Sequence, residues 1–133
     1  MRVLILHGPN MNLFGIRSAK KKQTVTLDKI NRHIRRFIRD KNLEIKIIQT
    51  NSETKAVSYI QKNRNKFNGI IITPGPWDEA GYILLDLLEL INMSYTIINI
   101  ENKRNNLFKD GKIIYHANIL QSFEEALEYY VRQ

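Results

Sequence analysis

Apolar residues along this chain fall into two rhythms. Short unbroken runs, RVLIL (2–6), GIIIT (69–73) and YTIINI (95–100), have the character of buried strands. LEIKIIQ (43–49) is β-branched and partly alternating, and KIIYHANI (112–119) is similar, so both are predicted as strands. Between these runs the spacing lengthens. TLDKINRHIRRFIRDKN (26–42) sets Leu27, Ile30, Ile34, Phe37 and Ile38 on one helical face, with Thr26 placed as its N-cap. TKAVSYIQKNRNKF (54–67) carries Val57, Ile60 and Phe67 at near-helical spacing. EAGYILLDLLELIN (79–92) reads as a strongly apolar helix. SFEEALEYYVRQ (122–133) reads as a last helix, with Ser122 and Glu125 in capping-box spacing.

Strands and helices alternate from end to end. That order predicts a parallel sheet with helices on both faces. Five strands and four helices in this length suit an α/β, flavodoxin-like three-layer α/β/α sandwich, with a five-stranded parallel sheet in the order 2-1-3-4-5. A single domain over residues 1–133 is expected, without internal repeats or linkers.

Charge changes this picture, because it is uneven. Residues 1–66 carry 16 Lys+Arg against 4 Asp+Glu, and residues 67–133 carry 5 against 9, for a net +8. A basic half can attract an anionic partner, nucleic acid included, or an acidic face of a second copy. The plainer account is a solvated surface. Helix 26–42 concentrates Lys29, Arg32, Arg35, Arg36 and Arg39, but no aromatic platform or nucleic-acid motif accompanies them. The absence of cysteine excludes disulfides and thiolate metal sites. His7, His33 and His116 lack metal-ligand spacing, so no metal or cofactor is expected. No apolar run approaches the roughly 20 residues that cross a bilayer. A cytoplasmic location is the default expectation, with no membrane partner.

In an open α/β sheet, ligands bind beyond the carboxyl ends of the strands. That rule selects HGPNMN, TPGPWDE and NIENKRNN, the loops after the first, third and fourth strands. They offer Asn10, Asn12, Asn99, Glu101, Asn102 and Arg104, with Arg17 just past the first turn as a possible anchor for a carboxylate or phosphate. Gly8 and Gly75 allow close backbone approach. After Arg17 the chain is expected to run on as a basic loop through Lys20, Lys21 and Lys22.

VLILHGPNMNLFGIR resembles the opening of type II dehydroquinases, close to LxGPNLNxLGxR. IIQTNSE is similar to that family's FxQSNxEG, GIIITPGPW to its GIVINPGAY, and INIENKRNNLF to its VHLSNIHAREPF. The resemblance covers essentially the whole chain. It implies anti elimination of water from 3-dehydroquinate through an enolate, and a homo-oligomer, a trimer or a dodecamer of four trimers. In the family a loop tyrosine is the base and a nearby arginine lowers its pKa. An asparagine holds the water that stabilises the enolate, a histidine is the acid, and backbone amides beside a serine hold the substrate carboxylate.

Carried over position by position, the resemblance assigns Asn12 to the water and Arg17 to the loop arginine. Lys22 or Gln23 stands where the tyrosine belongs, and Asn99 where the histidine belongs. Thr73 replaces the asparagine of NPG, Glu79 a histidine, and Glu101 the serine, with Ile100 beside it. Asn105 or Asn106 falls on a substrate-clamping arginine. Asp86 matches an aspartate that serves a neighbouring subunit. The glycine-rich stretch before the last helix is shortened to ANILQSFEEAL. The expectation is a diverged relative that has lost ordinary dehydration. It would keep the fold and part of a pocket for a small anionic or polyhydroxy ligand, or for assembly. Two alternatives stand beside it: an active lyase or other enzyme on a small polyhydroxy acid, with Glu79 or Glu101 as a replacement base, and a scaffold or nucleic-acid-binding module using the basic half.

Overall fold

The computed structural model describes residues 1–133. Five strands form one parallel sheet: β1 (Arg2–His7), β2 (Glu44–Gln49), β3 (Gly69–Thr73), β4 (Tyr95–Ile98) and β5 (Lys112–Ile114). Their order is β2-β1-β3-β4-β5, as the alternation of elements predicts. Six helices surround it: α1 (Phe14–Lys20), α2 (Leu27–Phe37), α3 (Glu53–Asn63), α4 (Trp77–Ala80), α5 (Tyr82–Leu90) and α6 (Ile119–Val131). A 3-10 turn, Met11–Leu13, precedes α1.

The unbroken apolar strands are central because both of their faces are covered. Alternate residues of β1 and β3 enter two cores. Val3, Ile5 and Ile71 pack with Ile30 and Ile34 of α2 and Phe123 and Leu127 of α6. Leu4, Leu6, Ile70 and Ile72 pack with Ala56, Val57 and Ile60 of α3 and Leu84, Leu87 and Leu88 of α5. Each of these side chains larger than alanine contributes about 1.5–3 kcal/mol by leaving water. Thr26 caps α2 as expected, its hydroxyl accepting from the Lys29 amide at 3.2 Å.

Several boundaries differ from expectation. Residues 14–20 form α1 rather than a loop; Phe14 and Ser18, four apart, face inward, and the Ser18 hydroxyl accepts from the Val25 amide at 2.9 Å. Lys20 closes that helix, and Lys22 turns the chain with φ 59°. The 79–92 helix starts earlier and divides at Gly81, whose amide closes α4 on the Trp77 carbonyl at 2.6 Å while its carbonyl opens α5. A Cβ at Gly81 would lie 2.6 Å from that same carbonyl. β4 and β5 are shorter than expected. The last helix begins at Ile119, capped by Asn118, whose side chain accepts from the Leu120 amide at 3.0 Å. Ser122 is therefore inside α6, fully buried, and holds the His116 amide at 3.0 Å.

Candidate functional site

The carboxyl ends of β3 and β4 open onto a cavity of about 170 Å³. Pro74, Gly75, Pro76, Asp78 and Glu79 follow β3. Ile98, Asn99, Ile100, Glu101 and Lys103 come from the end of β4 and its loop, and Arg17 reaches in from α1. Gly75 makes the turn at φ +52°, a conformation costly for any other residue type except asparagine or aspartate. Gly8 fixes the neighbouring turn. Its amide donates to the Thr73 carbonyl at 3.0 Å, and a Cβ there would lie 2.4 Å from that oxygen.

Asp78 builds the far wall. It is buried, and its carboxylate accepts three backbone amides: Asn106 at 2.8 Å on Oδ2, then Leu107 at 3.1 Å and Phe108 at 3.2 Å on Oδ1. Charge-assisted bonds of this kind hold the loop after β4 against α4. Asn106 then donates from its side chain to Glu79 Oε1 at 2.6 Å. Asn99 donates its amide hydrogens to the Lys103 carbonyl at 3.3 Å and to Asn105 Oδ1 at 2.7 Å. Across the opening, Arg17 Nη1 lies 3.2 Å from Glu101 Oε1, with both side chains roughly half exposed.

Of the residues singled out from sequence, Arg17, Gly75, Glu79, Asn99, Ile100 and Glu101 share this cavity. The others lie elsewhere. Thr73 is buried, and its carbonyl and hydroxyl both face the Gly8 amide. Asn12 is exposed outside the lining, with Gln49 Nε2 at a long 3.5 Å from its Oδ1. Asn10 has φ 67° and lines a separate groove with Leu13, Ile16, Arg17 and Lys20. Asp86 is exposed on α5. Lys22 and Gln23 form the exposed turn after α1, outside the lining. Asp78 and Lys103 were not singled out from sequence. An acid directly after a tryptophan, next to a PGP turn, is the only mark Asp78 leaves.

His7, at the end of β1, is fully buried. Its Nε2 lies 2.9 Å from Asn31 Oδ1, which can only accept, so Nε2 carries the proton and Nδ1 is left without a partner. Burial pushes its pKa down to about 4, against a smaller upward pull from Asn31. This imidazole is neutral and internal, linking β1 to α2.

Comparison with known proteins gives a consistent result. The family model for dehydroquinase class II matches residues 1–127. A 3-dehydroquinate dehydratase of Geotalea daltonii is 32% identical over 105 residues, 79% of this chain and 73% of that protein. One from Clostridium botulinum is 30% identical over 100 residues, 75% and 68%. In fold, the chain is similar to the type II dehydroquinase of Butyrivibrio crossotus, with a TM-score of 0.84 at 23% identity over 100% and 98% of the two chains. That of Propionibacterium acnes gives 0.85 at 21% identity over 99% and 97%. The chain belongs to the class II dehydroquinase family.

Proposed function

We propose that this chain is a diverged class II dehydroquinase homologue that no longer dehydrates 3-dehydroquinate at an enzymatic rate. It keeps the family fold and part of the pocket to bind a small polyhydroxylated ligand, within a homo-oligomer. One observation carries the reading: the cavity is lined by neither a tyrosine nor a histidine, and its arginine is held by Glu101. The elimination needs a base for a carbon-bound proton and an acid for the departing hydroxyl. Lys22 and Gln23 stand outside the lining, and the Asn99 amide is no acid and is already engaged. Losing one member of a catalytic unit costs several orders of magnitude. The test is the absorbance of 3-dehydroshikimate formed by the pure protein. Turnover of about 1 s⁻¹ or more would overturn the proposal.

A second reading has one observation in its favour: Glu79 and Glu101 line the same cavity as Arg17 and Lys103. Under it, either carboxylate replaces the base, and Glu79→Gln or Glu101→Gln abolishes a measurable turnover. Unchanged rates in both variants would remove it.

Assembly is supported by a face of α5. Tyr82, Ile83 and Leu90 are 65%, 63% and 79% exposed there, with Asp86 on the same helix. Exposed apolar residues clustered on one element mark an interaction surface. The family resemblance makes a trimer, or four trimers, the proposed assembly.

A further inference from the structure

We propose that the cavity selects an uncharged polyhydroxylated ring over its carboxylated counterpart, and that Glu101 sets this choice. The inference rests on the cavity being a binding site, as proposed above.

The charged lining consists of Arg17 and Lys103 against Asp78, Glu79 and Glu101. Asp78 is spent on three backbone amides of the loop wall. What remains open to a ligand is two cations and two glutamates, and the Arg17 guanidinium already holds Glu101 at 3.2 Å. An incoming carboxylate must compete with Glu101 for that guanidinium, or pair with Lys103 while sharing the small cavity with both glutamates. Either arrangement places like charges in contact, which rejects the wrong ligand more effectively than any missing attraction would.

The hydrogen-bonding inventory points the same way. Glu79 Oε1 is engaged by Asn106 and Glu101 Oε1 by Arg17, which leaves an Oε2 on each as an open acceptor. Asn99 gives its amide hydrogens to Lys103 and Asn105, leaving its Oδ1 as a third open acceptor. Hydroxyl groups donate to such oxygens. The same hydroxyls accept from the remaining guanidinium N–H groups and from the Lys103 ammonium. A ring polyol satisfies both sets without bringing charge. A carboxylate group is acceptor-only and has no hydrogen to donate to these oxygens.

Calorimetric titration of the full chain at low ionic strength tests this, with myo-inositol as the neutral ring and quinate as the carboxylated one. Inositol is expected to bind about ten-fold tighter or more. Glu101→Gln removes the charge and frees Arg17, so it is expected to raise quinate affinity about ten-fold or more and invert the order. Glu101 is half exposed, and a matched thermal melt confirms that the variant is folded. Tighter quinate binding by the native chain overturns the inference while leaving the loss of dehydration intact. An unchanged order in the variant overturns the role of Glu101. Absence of binding by both compounds at about 10 mM overturns the inference. Turnover of 3-dehydroquinate is read separately, and overturns the underlying proposal whatever the ranking.

Discussion

At the scale of the residue, two buried titratable side chains govern stability in different ways. Asp78 serves three amides at once, so Asp78→Ala strands several polar groups at the loop after β4. It is expected to cost about 3 kcal/mol in urea unfolding and to accelerate amide exchange at Asn106, Leu107 and Phe108. His7 acts through protons. Its folded pKa of about 4 lies below the unfolded 6.5, so between these values the unfolded chain binds more protons and stability rises with pH. The contribution is fully present above pH 6.5 and is lost on acidification toward pH 4, by about 3 kcal/mol in all. Urea midpoints from pH 7.5 down to 4 check this, and His7→Gln is expected to flatten that slope. The role of Asp78 was illegible in the sequence, and that of His7 only partly legible. His7 can be read from its place at the end of an apolar strand as structural, but its isolation depends on what α2 and Phe123 bring against it. Asp78 satisfies amides 28–30 residues away, and no local pattern announces such a partner.

At the scale of the element, local periodicity fixes what is long and amphipathic and fails where an element is short. α2 and α3 bury residues at 30, 34 and 56, 57, 60, a spacing visible in the chain alone. α1 has seven residues with Gly15 inside it and only Phe14 and Ser18 buried, too few for a pattern. Caps are also ambiguous when two candidates stand close together. Asn118→Ala is expected to cost about 1 kcal/mol as the loss of an N-cap. Ser122→Ala instead removes the partner of the half-buried His116 amide, and is expected to cost about 1–3 kcal/mol without the signature of helix-end fraying in amide exchange at Leu120.

At the scale of the whole molecule, strand order was legible, and so was the end of the sheet at which a cavity opens, because alternation and connection rules are global constraints. Which loop residues converge was legible only in part, since Arg17 meets Glu101 across 84 positions. The surface divides by chemistry, basic on α2 and apolar on α5. The basic face of α2 gives Lys29, Arg32, His33 and Arg36 around a groove closed by Leu120, with Arg32 paired to Asp28 at 3.0 Å. No phenylalanine, tyrosine or tryptophan lines it, and its one ring, His33, is held by Glu124 at 2.7 Å, so base stacking has a poor platform there. Elution from heparin at low salt is expected, and a steep salt dependence would argue for a nucleic-acid role. The opposite expectation holds for α5. Native mass spectrometry is expected to find a homo-oligomer, and Ile83→Lys or Leu90→Lys to shift it toward the monomer.

The pairing of β1 with both β2 and β3 has a consequence in time. A chain made from its first residue onward has β2 available early, in register from Arg2 with Glu44 to His7 with Gln49. The other edge of β1 waits for residues 69–73. α2, whose His33 meets Glu124, waits for the last helix of all. During synthesis β1, whose side chains feed both cores, is thus half-paired while much of the protein is still being made. A nascent chain halted after residue 66 would expose that edge to chaperones or to aggregation, and synthesis of residues 69–73 supplies the strand that closes it.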